Sequence, residues 1–209
     1  MNNFFHNPFF LLFIFVFSAD IVSYSIPLED TKLRGLNLRD SSYDGKRLNS
    51  SFVEGLGQLT DNIVADSNEL LGSPDKEINW IGWTNRESVK LSFEFKELRK
   101  FENCRIHVAH LPDSDIQVNE FPMRNSIQIN TSFFYFQVFS SAQAWFSDKE
   151  YKISSGIFEV SNDTILNTSF VSIPLEFKIG RYVKLELKLA AKSLLISEVI
   201  FDSGISIIK

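Results

Sequence analysis

The segment VKLSFEF, Val89 to Phe95, limits the fold more than any other feature of the sequence. Val89, Leu91, Phe93 and Phe95 alternate strictly with Lys90, Ser92 and Glu94. In an extended strand successive side chains point to opposite faces, so this pattern makes one apolar face and one polar face; a helix would scatter the same residues around its axis. RIHVAHL, from Arg105, repeats the pattern with Ile106 and Val108 turned inward and His107 beside Arg105 on the polar face. YVKLELKL, from Tyr182, alternates again, and SFFYFQVF, AQAWF and LLISEVIF are rich in aromatic and aliphatic β-formers. YDGK, GLG and GSPDK supply turn chemistry ahead of Trp80. No long 3.6-residue periodicity occurs, and KELRKFEN, from Lys96, is expected to make one or two helical turns between strands. Many short strands roughly 8–12 residues apart predict an all-β chain folded as a β-sandwich or jelly roll. With 44% apolar residues the chain builds a sizeable core. One domain is expected over residues 40–209, preceded by a lead-in of residues 20–39.

The N-terminus reads differently. Phe9 to Phe17 is an unbroken apolar run, followed by Ser18, Ala19 and the first acid, Asp20. A membrane-spanning helix needs about 20 such residues, whereas the apolar part of a secretory signal needs about 7–15. Residues 1–19 are therefore expected to be a signal peptide cleaved near Ser18–Ala19, with later cuts near Ser23 or Ser25 as alternatives. Four N-x-[ST] sequons, at Asn49, Asn130, Asn162 and Asn167, point to the same secretory route and require those asparagines to face solvent. Cys104 is the only cysteine, so an intrachain disulfide and a thiolate metal cluster are excluded, and a buried free thiol is expected. A net charge of -5 argues against sequence-independent nucleic-acid binding, which needs a basic surface.

The chemical motifs are few. Gly55-Leu56-Gly57 opens like a dinucleotide loop, but Thr60 stands where the fingerprint needs a third Gly or Ala, and no βαβ unit surrounds it. His107 and His110 are three apart, which on a strand sends them to opposite faces and away from a shared zinc. Nucleophile-elbow and protein-kinase signatures are absent. The segment GQLTDNI holds oxygen donors over a short distance: the Gln58 amide, the Asp61 carboxylate and the Ile63 carbonyl. Ca²⁺ takes about 6–8 such ligands, so the segment supplies part of a calcium site and needs a second acid from elsewhere. The other reading is an ordinary turn in which Asp61 bonds its own backbone.

Taken in order, SSYDGK, GLGQLTDNIV, INWIGWTN, LSFEFKELRKF and LLISEVIF resemble the second extracellular module of discoidin-domain receptor tyrosine kinases, over roughly Asp40 to Ser203. The resemblance implies a discoidin-like jelly-roll β-sandwich that holds Ca²⁺, with ligands from Gln58, Asp61, the Ile63 carbonyl, Ser197 and Glu198. Arg39 stands where the family commonly has Asn; its backbone carbonyl would serve, while its guanidinium would oppose a cation. The family's disulfide in this module has no counterpart, because Cys104 has no partner.

The function so implied is a non-catalytic, calcium-binding extracellular module working by protein–protein contact at the cell surface. The chain would be secreted or lie on the extracellular side of the plasma membrane, as a fragment or a secreted relative without the collagen-binding and kinase domains. Collagen would be met only indirectly, through that other domain, and a receptor dimer is one assembly the resemblance allows. The alternative is a secreted β-sandwich lectin or ligand-binding protein. Its mark would be an exposed Trp83 or Trp145 beside polar groups, set against plain packing of both rings.

Overall fold

A computed structural model describes residues 20–29, 35–71, 78–109, 138–148, 153–159 and 168–205. The expected signal peptide, His110, Asn130, Asn162 and Asn167 lie outside these residues. Nine antiparallel strands are described: β1 (Ile21–Pro27), β2 (Lys46–Leu48), β3 (Ser51–Gly55), β4 (Ile81–Thr84), β5 (Ser88–Ala109), β6 (Phe139–Ser147), β7 (Ile153–Glu159), β8 (Thr168–Leu189) and β9 (Ser193–Ile205). The alternating segments are strands, as their period requires, and the fold is an all-β sandwich of the discoidin-like type.

Two long strands make the sandwich. The first half of β5 pairs with β1 and β8, extending to the order β2-β3-β1-β5-β8-β6-β7. Its second half pairs with β8 and β9, and β9 carries β4 on its other edge. The register slips between Glu94 and Arg99 and between Phe101 and Asn103, and such bulges bend a strand from one layer into the next. Phe93 and Phe95 of β5 meet Phe201 of β9 edge-on at 5.0 and 5.2 Å, while Phe101 reaches Phe146 of β6 at 5.5 Å. These rings, with Val89, Leu91, Leu185, Leu187 and Val199, fill the space between the layers. Cys104 is fully buried there as a free thiol, and burial pushes its ionisation well above the usual thiol range.

Three expectations give way. The lead-in is not separate: β1 lies between β3 and β5, burying Ile21, Tyr24 and Ile26. KELRKFEN forms no helix; it continues β5, because Arg99 and Phe101 are needed inside the sandwich and the bulges turn them there. His107 does share a face with Arg105, yet it is only 5% exposed, because that face is covered by Trp80, stacked at 5.1 Å, and Phe170 at 4.9 Å.

Of the four sequons only Asn49 is described. It sits exposed in the two-residue turn joining β2 to β3, at φ 51°, a left-handed conformation that Asn tolerates. A Ser51→Ala substitution removes the sequon and leaves that asparagine in place. It is expected to lower the intact mass of secreted protein by one glycan with the thermal midpoint unchanged; an unchanged mass would show that Asn49 carries none.

Candidate functional site

The segment that looked like a phosphate loop owes its glycines to packing. A Cβ on Gly55 would lie 2.3 Å from the Gly45 backbone nitrogen, and one on Gly57 would lie 2.6 Å from the Asp40 carboxylate and the Tyr24 hydroxyl. Both backbones therefore pass at a distance no side chain permits. Asp40 anchors the approach. Its carboxylate accepts from the Tyr24 hydroxyl, from the Gln58 main-chain N–H at 3.2 Å and from the Ser42 hydroxyl at 3.3 Å, and its own main-chain N–H donates to Glu29. Tyr43 ties in by donating to the Tyr24 carbonyl at 2.5 Å and accepting from the Gly55 N–H at 3.0 Å. Burial raises the ionisation of Glu29 and Tyr24, and pushes Tyr43 up to about 12. Asp40 and Glu29 have no motif spacing in the sequence; only the strand pairing of β1 reveals them.

From this anchor the chain makes a 3-10 turn at Gln58–Thr60. Leu59 is wholly buried and pins the turn to the core. Gln58 is buried, its amide nitrogen donating to the Ile78 carbonyl at 3.1 Å, and its amide oxygen faces no donor. Asp61 accepts from the Ile63 N–H at 2.8 Å, the Asx turn that was the other sequence reading. The Ile63 side chain is exposed, so that residue offers the site main-chain atoms only.

The other half comes from β9, packed against the turn. His107 pairs with Glu198 and Val108 with Ile196, so Ser197 is the extra residue of a bulge. A bulge re-aims its neighbours, and here it leaves Ser197 and Glu198 both fully buried in succession. The Ser197 hydroxyl accepts from the Ala65 N–H at 3.3 Å and lies 2.6 Å from His107 Nδ1. Accepting the first bond leaves the hydroxyl proton for the ring, and burial lowers the pKa of His107, favouring its neutral form. The Ser–His pair is no nucleophile for a substrate, since Ser197 is 0% exposed.

Both oxygens of Glu198 are buried without a hydrogen-bond partner at normal geometry. Burial pushes its carboxyl up to about 8, the charge of Asp61 adds to the rise, and the Asn62 and Val199 amides offset part of it. Asp61 is also raised by burial, with Asp40 adding and the Ile63 amide opposing. None of the groups that set these two ionisations is cationic. Arg39 is exposed, and its charge acts on Glu29 instead. Among the described residues no three His, Cys, Asp or Glu side chains converge as a metal cluster. The donors are two carboxylates, an amide oxygen and neutral oxygens, a hard set that suits Ca²⁺ and not a thiolate or imidazole metal. Three buried oxygens without a hydrogen bond of normal geometry, one in the turn and two on β9, are what such an ion would satisfy.

Fold and site together define a discoidin-like β-sandwich module. The chain matches the family described as "Discoidin domain-containing receptor 1/2, DS-like domain" over residues 20–203, and it belongs to that family. The match begins at residue 20, one residue before β1. The chain is 29% identical over 196 residues to discoidin domain-containing receptor tyrosine kinase B of Caenorhabditis elegans, across 90% of this chain and 22% of that protein. It is 31% identical over 102 residues to human epithelial discoidin domain-containing receptor 1, across 44% of this chain and 11% of that protein. It thus spans about a fifth or less of the length of these relatives. Among solved structures, the C-terminal domain of a chitobiase from Bacteroides fragilis is similar at TM-score 0.46 and 11% identity, covering 92% of this chain and 99% of that one.

Proposed function

We propose that this chain is a calcium-stabilised extracellular module of discoidin-receptor type, working by contact with other proteins at the cell surface. The reading is carried by the approach of the exposed Asp61 carboxylate to the buried Glu198 carboxyl, with the buried, unpartnered Gln58 amide oxygen in the same turn as Asp61. Calcium, when bound, supplies positive charge between the two carboxylates. The chain's own residues do the rest. Asp40 fixes the start of the loop, Leu59 holds it against the core, and the Ser197 bulge turns Glu198 toward it. The loop and the last strand are thereby fastened to each other. No helix among the described residues is long and apolar enough to cross a membrane. Contact with collagen is assigned to a different receptor domain, and this module's role is to present and brace neighbouring parts.

Thermal unfolding in excess Ca²⁺ and in chelator tests the reading. A ligand that binds only the folded state at 100 times its Kd adds about 2.7 kcal/mol, which for a domain of this size raises the midpoint by roughly 5–10 °C. Asp61→Asn is expected to remove most of that rise. No rise in the wild type, or an equal rise in the variant, would sink the site.

A further inference from the structure

We infer that the solvent-facing side of the β1-β5-β8-β6 layer is a binding groove for a neutral oligosaccharide. The register sets one polar row straight across four strands: Ser25 faces Ser92, Ser92 faces Lys184, and Lys184 faces Trp145. A second row runs Ser23, Glu94, Tyr182 and Ser147. These rows line a recess of about 790 Å³, and a second recess of about 350 Å³ continues it past Ser51 and Ser88. Three strand spacings of about 4.8 Å make the floor roughly 14 Å across, long enough for a short chain of sugar rings.

The chemistry of the floor selects the ligand. Trp145 is the half-buried member of the three tryptophans; Trp80 and Trp83 are fully buried, and Trp83 donates to the Pro27 carbonyl at 3.0 Å. The Trp145 ring thus stands half-exposed within a row of hydroxyls, with the Lys184 ammonium over one face at 5.5 Å from its centre and the rest of the ring left as the apolar part of the floor. The charged lining is balanced, four basic side chains against four acidic ones across the two recesses. Four of them are already held in place: Arg181 and the Tyr182 hydroxyl both donate to Glu94, at 2.9 and 3.1 Å, and Lys90 pairs with Glu186 at 3.3 Å. A polyanion would require a basic excess, which is absent from this lining. A hydroxyl-rich, uncharged chain needs fixed donors, fixed acceptors and an apolar platform side by side, and this floor offers all three before binding.

The experiment is a titration of the whole secreted protein with chitohexaose, cellohexaose and an asialo biantennary N-glycan, beside a heparin hexasaccharide. Binding is read by calorimetry and by tryptophan emission, to which Trp145 alone offers an accessible ring. Both are run with Ca²⁺ and with chelator, so failure of the calcium reading leaves this result legible. Saturable binding of at least one neutral oligosaccharide, insensitive to added salt, is expected. It should weaken at least about tenfold in Trp145→Ala, since the platform supplies most of the apolar contact. Ser92→Tyr, which fills the middle of the row with a β-favouring side chain, should block it with the thermal midpoint retained. Absence of binding across the neutral panel, binding of heparin alone, or binding unchanged in both variants overturns the inference.

Discussion

In chelator, Glu198→Gln is expected to make the protein more stable at pH 8, although it destroys the proposed calcium site. The reason is the position of the carboxyl. It is fully buried without a hydrogen bond of normal geometry, and burial together with Asp61 pushes it up to about 8, the Asn62 and Val199 amides offsetting only part of the rise. In the unfolded chain it returns to the ordinary glutamate range near 4.3. Between those values the folded state holds a proton that the unfolded state has lost, so stability falls as pH rises through that window. The carboxyl's contribution is fully present below the unfolded value and is lost once pH passes the folded one. The difference is on the order of 4 kcal/mol, or roughly 8–15 °C in the midpoint of a domain this size. Asp61, raised by burial and by Asp40, adds to the decline in the same direction. Glutamine carries no charge to bury, so the variant should show a much flatter pH profile. Calcium takes the place of the proton, and the gain in midpoint on adding Ca²⁺ to the wild type should therefore be small near pH 5 and large at pH 8. Melting curves across that range, with and without Ca²⁺, check both parts. A variant less stable than wild type in chelator at pH 8, or a calcium gain that does not grow with pH, would falsify the account.

That site shows where sequence reading succeeds and where it stops. Strict alternation made the strands plain at VKLSFEF and YVKLELKL, because period two has no other regular explanation. Strand β1 carries the same signal, with Tyr24 and Ile26 buried and Ser23 and Ser25 on the other face. It was obscured by the apolar run Phe9–Phe17 that precedes it closely in the sequence. KELRKFEN looked helical because its charges are locally dense, yet a buried Arg99 gains its partners only from distant strands. The donors in GQLTDNI were visible as chemistry, whereas the approach of Asp61 to Glu198 depends on a one-residue bulge 136 positions away from Asp61. Bulges carry no residue signature, so the pairing of loop and last strand could be implied only by family resemblance. The burial of His107 was hidden for a related reason. Its strand position was right, but the Trp80 that covers it arrives from another element.

Asp20→Ala is expected to cost about 2–4 kcal/mol, close to the loss of a whole core side chain, although the residue stands at the margin of the fold. Arg99 is 2% exposed and has one carboxylate partner, Asp20; its other described side-chain bond is a 3.2 Å contact to the Ser203 hydroxyl, and its Nε has no acceptor. Removing the acid leaves a buried guanidinium without counter-charge. Breaking such pairs costs about 3–5 kcal/mol, and the lower figure here allows for the Asp20 carboxylate being 35% exposed. The midpoint should fall by roughly 5–15 °C. Replacing Arg99 as well, by methionine of similar length, removes the stranded charge and should recover much of the loss. A double variant no more stable than Asp20→Ala alone would show that the pair is not the cause. The same pair bears on processing. A cut after Ser23 or Ser25 would remove Asp20 and strip half of β1 from between its neighbours, whereas a cut after Ala19 keeps the ion pair. N-terminal sequencing of secreted protein is therefore expected to begin at Asp20, and a mature chain that starts at Tyr24 or later would contradict the role of Arg99.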